Sequence, residues 1–419
     1  MERRILNKEQ KEAVRHGQGP LLIIAGAGTG KTTVITERIK YLILQKKVNP
    51  QEILALTFTE KSSQEMETRV DVAMPYGLTQ MWISTFHSFC DRVLRDEGLH
   101  IGIDTGYKLM TNAENFQFIK SNLFEFELNY FRPLGNPTKF IDGMLQHFSR
   151  LQDEDISSEE YLRWVKGKSA DEKLEQDKWL ELVKAYKKYE ELKIKASDFD
   201  FGDLITKTLL LFRKRPNVLR NYQQKFKYIL VDEFQDTNFA QNQLVLLLAG
   251  KNGNITVVAD DDQSIYRWRG AAISNVLQFR KIFPKARLVT LTKNYRSCQY
   301  ILDKAYDLIK HNNPDRLEIA ENIDKKLISV RKRQNGEVKF FHLPNVVDEV
   351  EAVAEEIENL ISKKKYEYKD IAILVRANNH AETFLKTFER SGVPCQFLGP
   401  GKLFKNPEVL DLIFLKSLI

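Results

Sequence analysis

The stretch LLIIAGAGTGKT, from Leu21 to Thr32, contains the pattern that decides the fold. Its four leading apolar residues predict a buried β-strand, and the segment from Thr33 to Leu44 predicts a helix. The glycine-rich turn between them brings backbone N–H groups and a helix N-terminus together, and such groups bind phosphate oxygens. The stretch therefore predicts a nucleotide-binding P-loop; a glycine-rich turn with a chance lysine is the alternative.

The turn from Ala25 to Thr32 supplies a role for each of its positions. Gly28 and Gly30 allow the backbone to curl around a phosphate. Lys31 is expected to reach the β- and γ-phosphates, and the Thr32 hydroxyl to bind Mg²⁺. The residues predicted to bind the nucleotide here are Ala25, Gly26, Ala27, Gly28, Thr29, Gly30, Lys31 and Thr32.

Similar apolar runs lie on both sides of the turn in the sequence. Further strands are predicted at Ile53 to Phe58, Tyr228 to Val231 and Ile255 to Val258, and a helix at Ser62 to Val70. Short apolar runs that alternate with helices are typical of a parallel sheet covered on both faces. The predicted fold class is therefore α/β, with a P-loop NTPase sheet.

Two acidic residues, Asp232 and Glu233, directly follow the predicted strand that ends at Val231. In a P-loop site an acid at this place binds Mg²⁺, and a second acid polarises the attacking water. An acidic pair after a strand is also common in solvated loops and helix caps. Together with the P-loop, the pair predicts Asp232 as a metal ligand and Glu233 as the catalytic base.

The chain is predicted to contain three parts. Residues 1–91 and 222–283 form the first α/β domain, residues 92–221 a helical insertion, and residues 284–419 a partial second α/β domain. An apolar stripe at helical spacing predicts the core face of a long helix in the insertion; its members are Trp179, Leu182, Val183, Tyr186 and Tyr189. The third part is predicted to hold strands at Leu288 to Leu291, Val338 to Leu343, Ile371 to Val375 and Cys395 to Leu398, and helices at Gln299 to Lys310, Val347 to Ile361 and Ala381 to Ser391.

A P-loop alone fits a nucleotide kinase, a GTPase or a motor, so the surrounding motifs decide. In order and spacing, six segments resemble the motifs of superfamily 1 helicases of the UvrD/Rep/PcrA type. They are Leu6 to Gln10, Thr57 to Lys61, Ser84 to Ser88, Asp232 to Thr237, Val258 to Ala271 and Asn294 to Ser297. No Asn-Lys-x-Asp segment of the GTPase kind occurs. The resemblance extends over nearly the whole chain and implies two RecA-like motor domains.

The resemblance also implies roles around the nucleotide. Gln10 would bind the adenine edge of ATP, and Tyr295 would stack on the base. Gln263 would sense the γ-phosphate, and Arg296 would stabilise the charge of the transferred phosphoryl group. The implied catalytic set is Lys31, Asp232, Glu233, Gln263 and Arg296, with ATP and Mg²⁺ as cofactors.

A second implied surface binds single-stranded DNA and junctions between single and double strands. Phe58, Tyr266 and Trp268 would stack on bases, a contact that tolerates any sequence. His87 and Arg269 would contact the strand. Glu60 stands where the family commonly has Asn, and it places an acid near the expected DNA path.

Composition agrees with a nucleic-acid partner without proving one. The formal net charge is +7, which favours a polyanion but also serves solubility. Three widely spaced cysteines predict no disulfide framework or zinc site, so a reducing cytoplasm is expected. Neither a signal peptide nor a membrane span is predicted.

The resemblance implies an ATP-dependent DNA helicase or translocase of 3′-to-5′ polarity, acting in DNA repair or replication. Two later family motifs, one with a Lys-Gly-Leu-Glu core and one ending in Thr-Arg-Ala, do not occur. The chain is therefore expected to be the front part of a helicase that stops before the large insertion of the second motor domain. A binding module for ATP and single-stranded DNA with little turnover is the main alternative, and a small-molecule kinase is a weaker one.

Overall fold

The computed structural model describes residues 5–72, 81–168, 173–250, 253–265, 273–331, 336–363 and 366–399. The chain divides into two compact units, Met1–Gly336 and Glu337–Ile419. The first unit holds the P-loop and its sheet.

The elements are numbered in chain order over the described residues. The strands are β1 Leu21–Ala25, β2 Ile53–Thr57, β3 Trp82–Thr85, β4 Lys108–Leu109, β5 Asp198–Phe199, β6 Tyr228–Val231, β7 Asn254–Ala259, β8 Arg287–Leu291, β9 Lys293–Asn294 and β10 Ile328–Ser329. The α-helices are α1 Lys8–Arg15, α2 Lys31–Leu44, α3 Glu60–Asp71, α4 Phe86–Glu97, α5 Asn112–Ser121, α6 Ile141–Asp153, α7 Ser158–Gly167, α8 Lys173–Ala196, α9 Phe201–Lys214, α10 Pro216–Lys225, α11 Phe239–Ala249, α12 Ile273–Ile282, α13 Gln299–Ile309, α14 Leu317–Ala320, α15 Val346–Ser362 and α16 Ala381–Ser391. Within the described ranges, no helix has both the length and the apolar character needed to cross a membrane.

A six-stranded parallel sheet forms the centre of the first unit. Its strand order is β3-β2-β6-β7-β1-β8, and every neighbouring pair is parallel. The predicted α/β class with a parallel sheet is thus confirmed. Since the strands all run the same way, the segments that leave their carboxyl ends meet at one edge of the sheet, where open α/β sheets bind ligands.

The strand before the P-loop is buried on both faces. Leu22 and Ile24 pack into one apolar core, whereas Leu21 and Ile23 pack into a second core. This division follows from the alternation of side chains along a strand. Apolar residues at consecutive positions are therefore required here, and they explain the continuous run that the sequence shows.

The helical insertion has a core of its own. Val183, Tyr186 and Tyr189 of α8 are buried in it, and Trp179 and Leu182 pack against it while partly exposed. The stripe at helical spacing is therefore a helical core face, as predicted. The short parallel pair of β4 and β5 adds a few strand residues to this otherwise helical part of the chain.

The strand predicted at Leu288 to Leu291 exists, but its predicted place in the third part of the chain is wrong. This strand, β8, pairs with β1 in parallel, with Leu288 opposite Leu22 and Val289 opposite Ile23. The first sheet therefore has two more strands than the sequence indicated, namely β8 and β3. An apolar run predicts a buried strand, but it carries no signal for the sheet that the strand joins.

The second unit has its predicted helices but not its predicted strands. Helices α15 and α16 pack through Ala354, Ile357 and Phe388. The segments predicted as strands at Val338 to Leu343, Ile371 to Val375 and Cys395 to Leu398 are not strands in the structure. Two of their apolar side chains, Phe340 and Leu374, are 90% and 94% exposed. Side-chain alternation alone does not make a strand, because a strand needs a hydrogen-bonded neighbour.

Candidate nucleotide-binding site

The P-loop joins β1 to α2 and has the backbone conformation that phosphate binding requires. Gly28 and Gly30 have φ angles of 71° and 92°, in the left-handed region that favours glycine. A Cβ on Gly28 would lie 2.6 Å from the Cβ of Arg296, so space as well as conformation requires glycine. Helix α2 begins at Lys31 with no side-chain cap, which leaves its first N–H groups directed at the loop. These groups are the donors for a bound phosphate.

Lys31 lies between two acceptors from the segments that follow β6 and β7. Its Nζ donates to Glu233 Oε2 at 2.8 Å and to Gln263 Oε1 at 3.3 Å. Three of the five predicted catalytic residues, far apart in sequence, are therefore brought together. A nucleotide phosphate placed at the loop would meet the lysine, an acid and an amide at the same point.

Asp232 follows β6 directly and is buried, with its N–H donating to Leu56 O at 3.0 Å. Burial raises the pKa of Asp232 to about 7, and the nearby Glu233 charge adds to the rise. Lys31 and a hydrogen bond from Thr32 oppose this shift. Because a hydroxyl and a carboxylate oxygen lie side by side, Thr32 and Asp232 offer the hard oxygen ligands that Mg²⁺ prefers.

Glu233 adopts a left-handed backbone conformation, with φ 49° and ψ 45°. This region is uncommon for residues other than glycine and persists only where the surroundings hold it. The carboxylate is held from two sides, since Oε2 accepts from Gln235 Nε2 at 2.7 Å as well as from Lys31. The unusual backbone thus turns the acid toward the lysine.

A closed ring of hydrogen bonds surrounds this point. Gln235 donates to Glu233, and its Oε1 accepts from the backbone N–H of Asp260 at 3.0 Å. The side chain of Gln263 closes the ring, because its Nε2 donates to Asp260 Oδ2 while its Oε1 accepts from Lys31. Gln235 and Asp260 were not assigned roles from the sequence, although both lie inside the motif segments.

The end of β9 and the residues that follow it lie directly against the P-loop. Asn294 Nδ2 donates to Ala27 O at 2.6 Å, and the N–H of Tyr295 donates to Gly28 O at 2.9 Å. Asn294 Oδ1 in turn accepts from the N–H groups of Arg296 and Ser297 at 2.8 and 2.7 Å. Tyr295 and Arg296 are thereby fixed at the mouth of the loop with exposed side chains. Asn294, which anchors both, was not singled out from the sequence.

Gln10 lies beside the loop, but its amide is already engaged. Its Nε2 donates to Thr29 O at 2.9 Å, and its Oε1 accepts from the N–H of Asn7 at 3.0 Å. Each of these atoms retains capacity for one further hydrogen bond. Asn7 Nδ2 also donates to the Tyr295 hydroxyl at 3.1 Å, so the start of α1 and Tyr295 border the same space.

Of the residues predicted to bind DNA, the structure describes two. Phe58 follows β2 and His87 lies in the first turn of α4 after β3, so both are at the carboxyl ends of neighbouring strands. Both side chains are half-buried, and His87 meets Phe201 edge-on with ring centroids 5.7 Å apart. Burial lowers the pKa of His87, although Glu60 opposes the shift. Tyr266, Trp268 and Arg269 lie outside the described residues.

Glu60 is anchored at this same edge of the sheet. Its Oε1 accepts from the hydroxyls of Thr85 and Ser88, both at 2.8 Å. Thr85 is the N-cap of α4, so the acid lies where the helix N-terminus favours negative charge. The carboxylate thus binds the hydroxyl groups of the N-cap and the first turn of α4.

A parallel sheet that carries a P-loop at the end of β1, an acid pair at the end of β6 and a glutamine beside the P-loop lysine is the arrangement of a P-loop NTPase fold. The chain matches the UvrD/REP helicase N-terminal domain family over residues 6–284 and the UvrD-like helicase C-terminal domain family over residues 289–419. The chain belongs to the UvrD/REP helicase family.

Curated relatives agree with this assignment. The chain is 38% identical over 409 residues to the "ATP-dependent DNA helicase PcrA" of Bacillus subtilis, which covers 97% of this chain and 52% of the relative. The proteins of the same name from Staphylococcus epidermidis and Leuconostoc citreum are 38% identical over 410 residues and 35% identical over 417 residues. These two matches cover 97% and 99% of this chain, and 53% and 52% of the relatives. The chain thus spans about half the length of the curated relatives it matches.

Proposed function

We propose that this chain is the ATP-binding motor part of a DNA helicase or translocase that couples ATP hydrolysis to movement along single-stranded DNA. The observation that carries the proposal is the convergence of Lys31, Glu233 and Gln263 from three separate strand ends. Family membership adds the nucleic-acid substrate, since the relatives are named DNA helicases. Polarity of 3′ to 5′ belongs to the proposal through the same family.

In the proposed reaction, the P-loop residues Ala25 to Thr32 bind the phosphates of ATP and Lys31 neutralises the β- and γ-oxygens. Glu233, freed from Lys31 when the phosphate takes its place, accepts a proton from the attacking water. Mg²⁺ held by Thr32 and Asp232 would supply charge neutralisation between the phosphates. Arg296, at the mouth of the loop, stabilises charge that develops on the transferred group.

Gln263 is placed to report the state of the γ-phosphate. Its carbonyl oxygen accepts from Lys31, and its amide nitrogen donates to Asp260. A γ-phosphate that draws Lys31 away removes the hydrogen bond to the carbonyl oxygen of Gln263, while its amide nitrogen stays bonded to Asp260 after β7. Tyr295 and Gln10 border the space expected for the adenine.

The nucleic-acid surface is proposed at the carboxyl edge of β2 and β3, where Phe58 and His87 lie, together with Tyr266, Trp268 and Arg269. Single-stranded DNA and junctions with duplex are the proposed partners, in repair or replication. A cytoplasmic location is part of the proposal and agrees with three cysteines that form no disulfide. The division into residues 1–91 with 222–283 and 92–221 also stays a proposal, as does the third part, 284–419, without Leu288 to Leu291, which join the first sheet.

The test is hydrolysis of ATP in single-turnover conditions, with the chain in excess, in the presence and absence of oligo(dT). We expect hydrolysis that oligo(dT) accelerates and that Lys31→Ala reduces to background. Equal rates for the wild type and Lys31→Ala would contradict the proposal.

A second candidate function is an ATP- and single-stranded-DNA-binding module with little turnover. The observation that favours it is the 2.8 Å ion pair between Lys31 and Glu233, which engages the proposed base. Tight binding of both ligands without accelerated hydrolysis would support this candidate, whereas unwinding of a tailed duplex by the 419-residue chain would exclude it.

A further inference from the structure

Three consecutive aspartates, Asp260, Asp261 and Asp262, follow β7 next to the nucleotide site, and the first two are buried. Their carboxylate oxygens lie within 4.8 Å of one another, an arrangement that attracts a cation. The cation in this structure is the ammonium of Lys325. Its Nζ donates to Asp260 Oδ1 at 3.0 Å, to Asp262 Oδ2 at 2.7 Å and to Asp261 Oδ1. The acidic cluster is therefore an internal ion-pair network.

A second cation completes the neutralisation. Arg316 binds Asp262 in a bidentate manner, with Nε to Oδ1 at 2.7 Å and Nη2 to Oδ2 at 2.8 Å. The N–H of Leu317 donates to Asp261 Oδ2 at 2.8 Å. We call residues 316–325 the clamp segment. Its two ends together bind all three aspartates. Bidentate charged pairs fix orientation as well as distance.

Lys325 keeps its charge in this setting. Although burial lowers the pKa of Lys325, the three aspartates raise it above its ordinary value. A buried carboxylate left without its cation carries a large desolvation penalty. Loss of Lys325 would therefore disturb the nearest carboxylates, starting with Asp260.

Asp260 connects the clamp segment to the catalytic glutamine. Its Oδ1 accepts from Lys325, whereas its Oδ2 accepts from Gln263 Nε2. The other end of the Gln263 amide accepts from Lys31. Lys325 therefore positions the carboxylate of Asp260, and this carboxylate in turn positions Gln263.

The chain that follows the clamp segment continues to the P-loop. A Cβ on Gly26 would lie 2.8 Å from Leu327 Cδ2, so Leu327 covers the start of the P-loop. Ile328 and Ser329 then pair with Lys293 and Asn294, next to the residues that anchor the loop. The same stretch of chain thus contacts both the Gln263 side and the P-loop side of the site.

We infer that Lys325 and Arg316 are positioning residues for ATP hydrolysis, which hold Asp260 and Asp262 so that Gln263 presents its carbonyl oxygen to the γ-phosphate side of Lys31. The inference rests on the proposed function. It assigns a role to a segment that carries no motif in the sequence. Neither residue contacts the phosphate site itself, so both act through the aspartates.

The test is a double-mutant cycle of Lys325→Gln and Gln263→Ala, read as the single-turnover rate of ATP hydrolysis. We expect Lys325→Gln alone to lower the rate by about 10- to 100-fold, because part of an electrostatic contact is lost. The Kd for a fluorescent ATP analogue is expected to stay within about threefold, since the P-loop is intact. In the Gln263→Ala background the same change is expected to lower the rate by less than about twofold, because the effects of substitutions at coupled residues are not additive.

If the role of Lys325 were purely structural, Lys325→Gln would lower the rate by the same factor in both backgrounds. That result would overturn the inference. Arg316→Lys is the second variant, for use if Lys325→Gln is too unstable to measure. It keeps the charge but loses the bidentate geometry, so the rate of ATP hydrolysis should fall. An unchanged rate for Arg316→Lys would equally overturn the inference. If the wild type and Lys31→Ala hydrolyse ATP equally, the proposed function fails and the inference falls with it.

Glu321→Gln is the matched control. Glu321 lies in the clamp segment and pairs with Arg280 of α12, so its loss loosens the same segment without touching an aspartate. We expect a wild-type rate for Glu321→Gln. A loss equal to that of Lys325→Gln would show that any loosening of the segment suffices, and would overturn the specific role of Lys325.

Discussion

The nucleotide site and the proposed nucleic-acid surface share one edge of the same sheet, yet they are built differently. Around Lys31 the side chains hold one another in a closed ring that includes Glu233, Gln235 and Gln263. At the ends of β2 and β3, Phe58 and His87 offer ring faces that are half-buried. Phosphoryl transfer requires hydrogen-bond donors whose positions are fixed to within a few tenths of an ångström, whereas stacking on bases requires only an accessible ring face. Substitutions should therefore have large effects at the ring and smaller ones at the surface.

The largest effect is expected from Glu233→Gln. This change keeps the shape of the side chain but removes the proposed base, and general-base catalysis contributes about 10²- to 10⁴-fold to rates. Nucleotide affinity should be retained, because the P-loop is unchanged. Single-turnover hydrolysis and analogue binding measure the two quantities. Glu52→Gln, at a pair with Lys227 outside the site, is the control for a general charge effect.

On the other surface, Phe58→Ala is expected to weaken binding of oligo(dT) by about 5- to 150-fold, the equivalent of one stacked base. Hydrolysis without DNA should stay at the wild-type rate. Fluorescence anisotropy with labelled oligo(dT) measures the affinity. Phe58→Leu separates stacking from packing, since leucine fills space but has no aromatic face. Wild-type affinity in the leucine variant would show that Phe58 acts only as a packing residue.

A pH effect is expected at Asp232, whose pKa burial raises to about 7. Because Mg²⁺ binds the deprotonated carboxylate, its apparent affinity should rise by about tenfold between pH 6 and pH 8. Titration of Mg²⁺ in the presence of an ATP analogue measures this change. A flat profile over that range would contradict a role for Asp232 as a ligand.

The same pKa also affects stability. Between about pH 4 and pH 7 the folded chain holds a proton on Asp232 that the unfolded chain has released, so the free energy of unfolding falls as pH rises. Well above pH 7, Asp232 is deprotonated in both states, and the stability that its protonated form gives the folded chain at low pH is fully lost. Asp232→Asn, which cannot ionise, should remove this slope, and denaturant unfolding at several pH values would show it.

The smallest effect is expected from Glu60→Gln. Removing one acid beside the proposed DNA path should raise oligo(dT) affinity by about 1.5- to 5-fold, the scale of an exposed charge interaction. The gain should shrink at high salt. Glu65→Gln, on the same helix and paired with Arg69, controls for a general change in charge. An equal gain from both variants would mean that position 60 has no special role.

Much of the nucleotide site could be predicted from the sequence, because its residues lie in short contiguous motifs. The P-loop, Asp232, Glu233 and Gln263 occupy strand ends, and a parallel sheet brings strand ends together. The residues that support them could not be predicted in this way. Lys325 and Arg316 lie in a segment without a motif, and only the fold brings their charges to the aspartates.

The fold shows the same limit. Five of the six strands in the first sheet were predicted to within a residue or two, since consecutive buried apolar residues leave few alternatives. The sixth, β3 at Trp82–Thr85, was not predicted. The segments around Phe340 and Leu374 have similar apolar patterns but form no strand in the structure. Hydrogen bonds to a neighbouring strand, which no local pattern encodes, decide between the two outcomes. For the same reason the sheet joined by β8 could not be predicted.

The central claim is that the nucleotide site and the nucleic-acid surface belong to one motor, and thermodynamic linkage between them tests it most directly. The measurement is the affinity for oligo(dT) with and without a non-hydrolysable ATP analogue and Mg²⁺, together with the affinity for the analogue with and without oligo(dT). Both affinities should change by the same factor, about threefold or more, since coupling is reciprocal. Independent binding, with neither affinity changed by the other ligand, would contradict the account.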